Sequence, residues 1–189
     1  MTQDFFAQYF EESSRVIAAA KTLSEVLENV VIQIVRQLEK GGKVVWFGNG
    51  GSASDAQHLS AELMGRFEKN RRPIASIALN TDTSLITALA NDFGYESVFK
   101  RQIEGICTSS DVCIGISTSG KSKNILEGLT QARAVGATTI AFTGQTTHAM
   151  APLCDYVIAV PSNKTSHIQE AHIAIGQAIC SSLEEVFFD

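Results

Sequence analysis

From residue 23 to residue 38, Leu23, Val26, Leu27, Val30, Val31, Ile34 and Leu38 recur at steps of three and four. That spacing stacks apolar side chains on one face of a helix. Phe5, Phe6, Tyr9 and Phe10 give the preceding segment an aromatic face. Residues 4–40 therefore read as helical, with a break near Thr22-Leu23-Ser24 and a stop at Gly41-Gly42. The pattern then changes. Val44-Val45-Trp46-Phe47 is a continuous apolar run, as expected of a strand buried on both faces. Strands are also expected over residues 73–79, 111–117, 138–143 and 156–160. Between them, helices are expected over residues 81–90, 96–106 and 124–135, with a turn over residues 91–95. A last helix is expected over residues 165–187. Alternation of this kind implies parallel pairing and an α/β three-layer sandwich, a five-stranded parallel sheet of flavodoxin-like type flanked by helices. The whole chain, 1–189, reads as a single domain. Residues 1–40 form an N-terminal helical pair that packs on the sheet or between subunits.

Composition narrows the function classes. The chain has 189 residues, 44% hydrophobic and 19% charged, with a net charge of −5. That suits an ordinary globular core. No block of Lys or Arg suggests a nucleic-acid surface. Cys107, Cys113, Cys154 and Cys180 have no CxxC spacing, and Met1-Thr2-Gln3-Asp4 has no secretory character. The expected setting is a reducing cytoplasm. No apolar stretch approaches the roughly 18 residues of a membrane span.

Candidate chemistry gathers at strand ends, where open α/β sheets bind ligands. After the first strand, Gly48-Asn49-Gly50-Gly51-Ser52 turns into a helix. A helix start offers unpaired N–H groups and the positive end of the dipole, which suit an anion such as phosphate. On the same helix His58 and Glu62 share a face at i,i+4. The plainer reading is a tight connection followed by two solvated polar residues. The second loop, Ser117-Thr118-Ser119-Gly120-Lys121-Ser122, is rich in hydroxyls. With Gly115 it matches the nucleotide-binding pattern G-x-x-x-x-G-K-S. Gly115, however, lies between Ile114 and Ile116, inside a strand, and Asp155 precedes its strand and so cannot hold a magnesium ion there. A hydroxyl-rich phosphate nest is the better reading, and it is compatible with simple helix capping. The last helix carries Gln169, His172 and Gln177 in an otherwise apolar segment. Gln169 and Gln177 are about 80° apart around the helix. A lone His in such a segment is more often a hydrogen-bonded packing residue than a ligand, and periodicity alone does not choose between the two for His172.

Taken in order, GNGGSASDAQHLSAEL, ALNTDTS, ANDFGYE, ISTSGKS and IQEAHI resemble the phosphoheptose isomerases, members of the sugar isomerase (SIS) class, over essentially the whole chain. The resemblance implies conversion of sedoheptulose 7-phosphate to D-glycero-D-manno-heptose 7-phosphate, a precursor of lipopolysaccharide or capsule. It implies substrate contacts at Asn49, Gly50, Gly51, Glu62, Asn91, Asp92, Ser117, Thr118, Ser119, Ser122 and Gln169. It also implies a homotetramer with sites between subunits. A metal, usually zinc, would be ligated by His58, Glu62, Gln169 and Gln177. One departure matters. The family has a histidine at the position of Gln177, which works with the glutamate matching Glu62 as an acid/base pair. Glutamine is a poor acid, base and zinc ligand. The departure leaves open an impaired isomerase, an isomerase in which water or another group substitutes, an exchange engineered to trap a ligand, or a non-catalytic sugar-phosphate-binding regulator akin to the SIS protein that associates with a replication initiator.

Overall fold

The computed structural model describes residues 3–147 and 149–188. The N-terminal segment forms α1 (Gln3–Ala19) and α2 (Ser24–Glu39), joined by a 3₁₀ turn over Ala20–Leu23. The expected break is therefore a tightening of the helix. Gly41, at φ +84°, ends the segment. Alternating elements follow: β1 (Val44–Gly48), α3 (Gly51–Met64), β2 (Ser76–Ala78), α4 (Thr83–Phe93), α5 (Val98–Ile106), β3 (Val112–Ser117), α6 (Lys123–Ala134), β4 (Thr138–Thr143), β5 (Tyr156–Ala159) and α7 (Thr165–Phe188). The five strands are parallel, in the order β2-β1-β3-β4-β5.

Residue parity sorts the core into two layers, because successive strand side chains point to opposite faces. Val44, Trp46, Ile114, Ile116, Ile140 and Phe142 pack with α2, α3 and α7. Val45, Phe47, Cys113 and Ala141 face the other way, onto α5 and α6. Gly176 of α7 meets α3 so closely that a Cβ there would lie 2.4 Å from a Leu59 methyl, so any larger residue would push the Leu59 side chain aside.

Most boundaries fall within two residues of the sequence reading, and two differ by more. The second strand shrinks to Ser76–Ala78 at the sheet edge, consistent with Pro73, which has no N–H to give a ladder. Asn91, Asp92 and Phe93 are not a turn. They are the last residues of α4, which runs on until Gly94 adopts φ +82°. Asp82 caps the other end of α4, accepting from the Leu85 N–H at 2.9 Å.

The N-terminal pair divides its roles. Val30, Val31 and Ile34 of α2 are buried in the core. α1 lies on α7: Tyr9 Oη donates to Glu170 Oε1 at 2.7 Å, Ser13 Oγ donates to Glu170 Oε2, and His167 Nδ1 lies 3.0 Å from the same carboxylate. Phe5, Phe6 and Phe10 remain exposed. A second clamp joins α7 to α3. Glu184 accepts from the N–H groups of Phe67, Glu68 and Lys69 and from Arg71 Nε, all at 2.8–2.9 Å. Burial opposes ionisation of Glu184, but these donors outweigh it and hold the carboxyl below its ordinary range. Arg71 also donates to the carbonyls of Glu62 and Leu63, completing the end of α3 with a cation, as the helix dipole favours.

Candidate active site

The strand order reverses direction between β1 and β3. From β1 the chain runs outward to β2, then returns to β3 on the other side. Gly48 pairs in register with Ile116, so the two loops suspected from sequence leave the sheet side by side at the switch point.

The first loop is built by backbone geometry. Gly50 precedes α3 at φ +57°, ψ −121°, a conformation that strains side-chain-bearing residues. The turn's first bonds run from Ser52 N–H to Asn49 O and from Ala53 N–H to Gly50 O, so the N–H groups of Gly50 and Gly51 precede them. Gln169 of α7 lies against this turn: a Cβ on Gly51 would sit 2.3 Å from Gln169 Nε2. Asn49 ties the two loops together. Its Nδ2 donates to Asn124 Oδ1, and Asn124 Nδ2 donates to Asn49 Oδ1, both at 2.8 Å; Tyr95 Oη adds a donor at 3.0 Å. Asn80 brackets Gly48, accepting from its N–H and donating to its carbonyl.

The second loop carries the hydroxyls. Ser117 Oγ and Ser122 Oγ are 3.1 Å apart, and Lys121 N–H donates to Ser119 Oγ at 3.3 Å. Gly115 is a strand residue, as expected, so the G-x-x-x-x-G-K-S match begins inside β3 rather than in a loop. A cavity of about 190 Å³ opens here, lined by Thr118, Ser119, Lys121, Thr146, Asn163, Thr165 and Ile168. α6 begins just after this loop and α7 begins at its wall, so two helix N-termini bring partial positive charge to one hydroxyl-lined space. A larger cavity of about 400 Å³ lies beside the edge strand, against α4 and α5, but the two loops contribute nothing to its lining.

On α3, His58 Nε2 and Glu62 Oε1 are 2.9 Å apart. Glu62 looks toward α7: Cys180 is pushed up to about 12, chiefly by burial, with the Glu62 charge adding to the shift. Gln177 lies one helical turn before Cys180, half-buried. Asp55, one turn before His58, is raised to about 6 by burial, with the His58 charge opposing the shift, and its Oδ2 is buried without a hydrogen-bond partner. His172 proves to be a packing residue. It is fully buried, its Nε2 lies 3.1 Å from Thr143 O, and burial lowers it to about 4. Asn91 and Asp92 hydrogen-bond to each other at the exposed end of α4; Tyr95, just beyond, links that end to Asn49.

A model of the SIS domain family matches residues 8–144. The phosphoheptose isomerase of Aquifex aeolicus is 49% identical over 178 residues, 94% of this chain and 93% of that protein. The chain belongs to the phosphoheptose isomerase family. The isomerase of Paramagnetospirillum magneticum is 46% identical over 95% of the chain and 93% of that protein. Among solved structures, the phosphoheptose isomerase of Neisseria gonorrhoeae superposes with a TM-score of 0.91 at 36% identity, covering 97% of this chain and 98% of that one. That of Francisella tularensis gives 0.93 at 33% identity over 98% and 100%.

For a family member, several residues had escaped the sequence reading: Asn80, Asn124, Tyr95 and Asp55 around the loops and α3, and the Arg71–Glu184 pair at the far end of α3. Asp55, Asn80 and Tyr95 fall within the family motifs, and that was the only available signal. Zinc is a poor match to the donors of this site. His58, Glu62, Gln169 and Gln177 offer one imidazole, one carboxylate and two amides, whereas zinc prefers His, Cys and carboxylate. Among the described residues, no group of three or more His, Cys, Asp or Glu side chains could hold a metal ion.

Proposed function

We propose that the chain is an aldose–ketose isomerase acting on sedoheptulose 7-phosphate, in heptose biosynthesis for lipopolysaccharide or capsule. The observation that carries this reading is near-full-length identity of almost one half to phosphoheptose isomerases, on a chain whose two loops meet at the switch point. In our reading, Ser117, Thr118, Ser119 and Ser122, with the N-termini of α6 and α7, hold the phosphate. Gly50, Gly51, Asn91, Asp92 and Gln169 place the sugar, and Asn49 holds the loops in register.

The chemistry needs a proton moved from C1 to C2 and another between O2 and O1, through an enediol. Glu62 is the base: its carboxylate takes the C1 proton and returns it to C2. Gln177 cannot supply the second transfer. His58, within hydrogen-bond distance of Glu62, is the titratable group placed to carry the oxygen-bound proton, with water as the other carrier. No step passes through zinc. We read the assembly as a homotetramer with sites between subunits, on the exposed aromatic face of α1, and the location as cytoplasmic. No helix among the described residues is long and apolar enough to cross a membrane. The regulatory alternative rests on Gln177 alone, and the similar proteins named above are isomerases.

Incubation with sedoheptulose 7-phosphate in D₂O tests the reading by NMR. The expected result is heptose 7-phosphate carrying deuterium at C2, from exchange at the enediol stage. Binding of the sugar phosphate with no conversion over days would overturn the enzymatic reading.

A further inference from the structure

At the far end of the sheet from the two loops, Cys107 and Cys113 stand with their Sγ atoms 3.9 Å apart. Cys107 closes α5 in an extended conformation and is half-buried. Cys113 is buried near the start of β3. Lys43 Nζ occupies the same corner, donating to Ile106 O at 2.9 Å and to Asp111 Oδ2 at 2.8 Å. We propose that Cys107 and Cys113 form a peroxide-reactive dithiol, with Cys107 the attacking thiol and Cys113 the resolving one, that closes to a reversible disulfide.

The geometry assigns these roles. Cys113 is fixed in the sheet, in register with Val45 on one side and Thr139 on the other. Cys107 lies in the connection between α5 and β3, so it is the residue able to close from 3.9 Å to the roughly 2.05 Å of a disulfide. It is also the more accessible of the two. The acidities agree: the hydrogen bond from Cys113 lowers Cys107, with Lys43 assisting, while that interaction and burial raise Cys113. Cys154 and Cys180 are pushed up to about 12 by burial and serve as internal controls.

In the first step the Cys107 thiolate attacks one oxygen of hydrogen peroxide. The O–O bond breaks, and hydroxide leaves and is protonated to water. Cys107 is then a sulfenic acid. In the second step the Cys113 sulfur attacks the Cys107 sulfur. The S–O bond breaks, and the hydroxyl leaves with the Cys113 proton as water. Two thiols lose two electrons and the peroxide is reduced to two waters. The disulfide protects Cys107 from irreversible over-oxidation, and it closes without touching the loops. It does not depend on the isomerase reading.

The test uses the full reduced chain and hydrogen peroxide near neutral pH. The expected product, weighed under denaturing conditions, is a single chain not cross-linked to another and lighter by about 2 Da, the two hydrogens a disulfide loses. Two of its four thiols are titratable, and dithiothreitol restores the rest. Cleavage before Asp111 should leave the two cysteine fragments joined until reduction. Cys113→Ser should instead gain oxygen at Cys107. The proposal is overturned if all four thiols survive, if Cys154 or Cys180 reacts first, if the disulfide joins two chains, or if the unaltered chain accumulates sulfinic acid at Cys107. The measurements on the unaltered chain decide the matter even if the variant fails to fold.

Discussion

The two sides of the site differ in what they still possess. The side we assign to the phosphate, at the loops after β1 and β3, has its glycines, its hydroxyls and helix N-termini, with Asn49, Asn124 and Asn80 tying the loops in place. The side we assign to proton transfer, on α3 and α7, has one carboxylate, one imidazole and an amide at residue 177. Binding and turnover therefore draw on different residues and should fail separately. Anchoring a phosphate needs N–H and O–H donors, which this chain supplies in number. Moving a proton needs groups that titrate, and here a single exchanged side chain matters.

The largest effect should come from removing the remaining base. Glu62→Gln keeps the size of the side chain and loses its basicity, so turnover should fall by about 10²–10⁴-fold with sugar-phosphate affinity retained. Steady-state rates and calorimetry on the same preparation separate the two. Equal losses in both would erase the division drawn above. Next is the clamp beneath this side. Glu184→Ala strands Arg71 in the interior and should cost about 3–5 kcal/mol, read as a fall in denaturant midpoint. On the phosphate side, Ser119→Ala should weaken sugar-phosphate binding by about 10-fold, the scale of one hydrogen bond to a charged group, and leave the rate of the bound complex nearly unchanged.

Much of the architecture was legible because buried parallel strands are written as unbroken apolar runs. β4 has the bounds the pattern implied, and β1 is buried along its whole length. The end of α4 was not legible. Asn91 and Asp92 resemble turn formers, and only the backbone shows that Gly94 is where the helix stops. Within the site, Glu62 and His58 were legible because their spacing is local. The Asn49–Asn124 tether spans 75 residues and the Arg71–Glu184 pair spans 113, and no periodicity carries such distances. The state of Asp55 was hidden for a related reason: its burial comes from packing, while its sequence neighbours are small and polar.

Asp55 gives the smallest prediction. Its carboxyl is ordinarily near 3.8 and rises to about 6 in the fold, so between those values the folded chain holds more protons than the unfolded one. The fold loses stability as pH rises through that window and carries a constant penalty above it. Asp55→Asn should therefore melt higher than the unaltered chain at pH 7.5, with the gap closing by pH 4. Partial solvent exposure of Asp55 limits the gain to roughly 1 kcal/mol.

The most direct test sets the unaltered chain beside Gln177→His in an isomerase assay with sedoheptulose 7-phosphate. In our reading, imidazole at residue 177, one turn before Cys180 on the helix that feels the Glu62 charge, supplies a second proton-transfer group, so turnover should rise by about 10²–10⁴-fold. Sugar-phosphate affinity should stay the same, because the loops are unchanged. Equal rates in the two proteins, with the unaltered chain already fast, would contradict the placing of residue 177 in the chemistry. Two inactive proteins that still bind the sugar phosphate would contradict the isomerase itself.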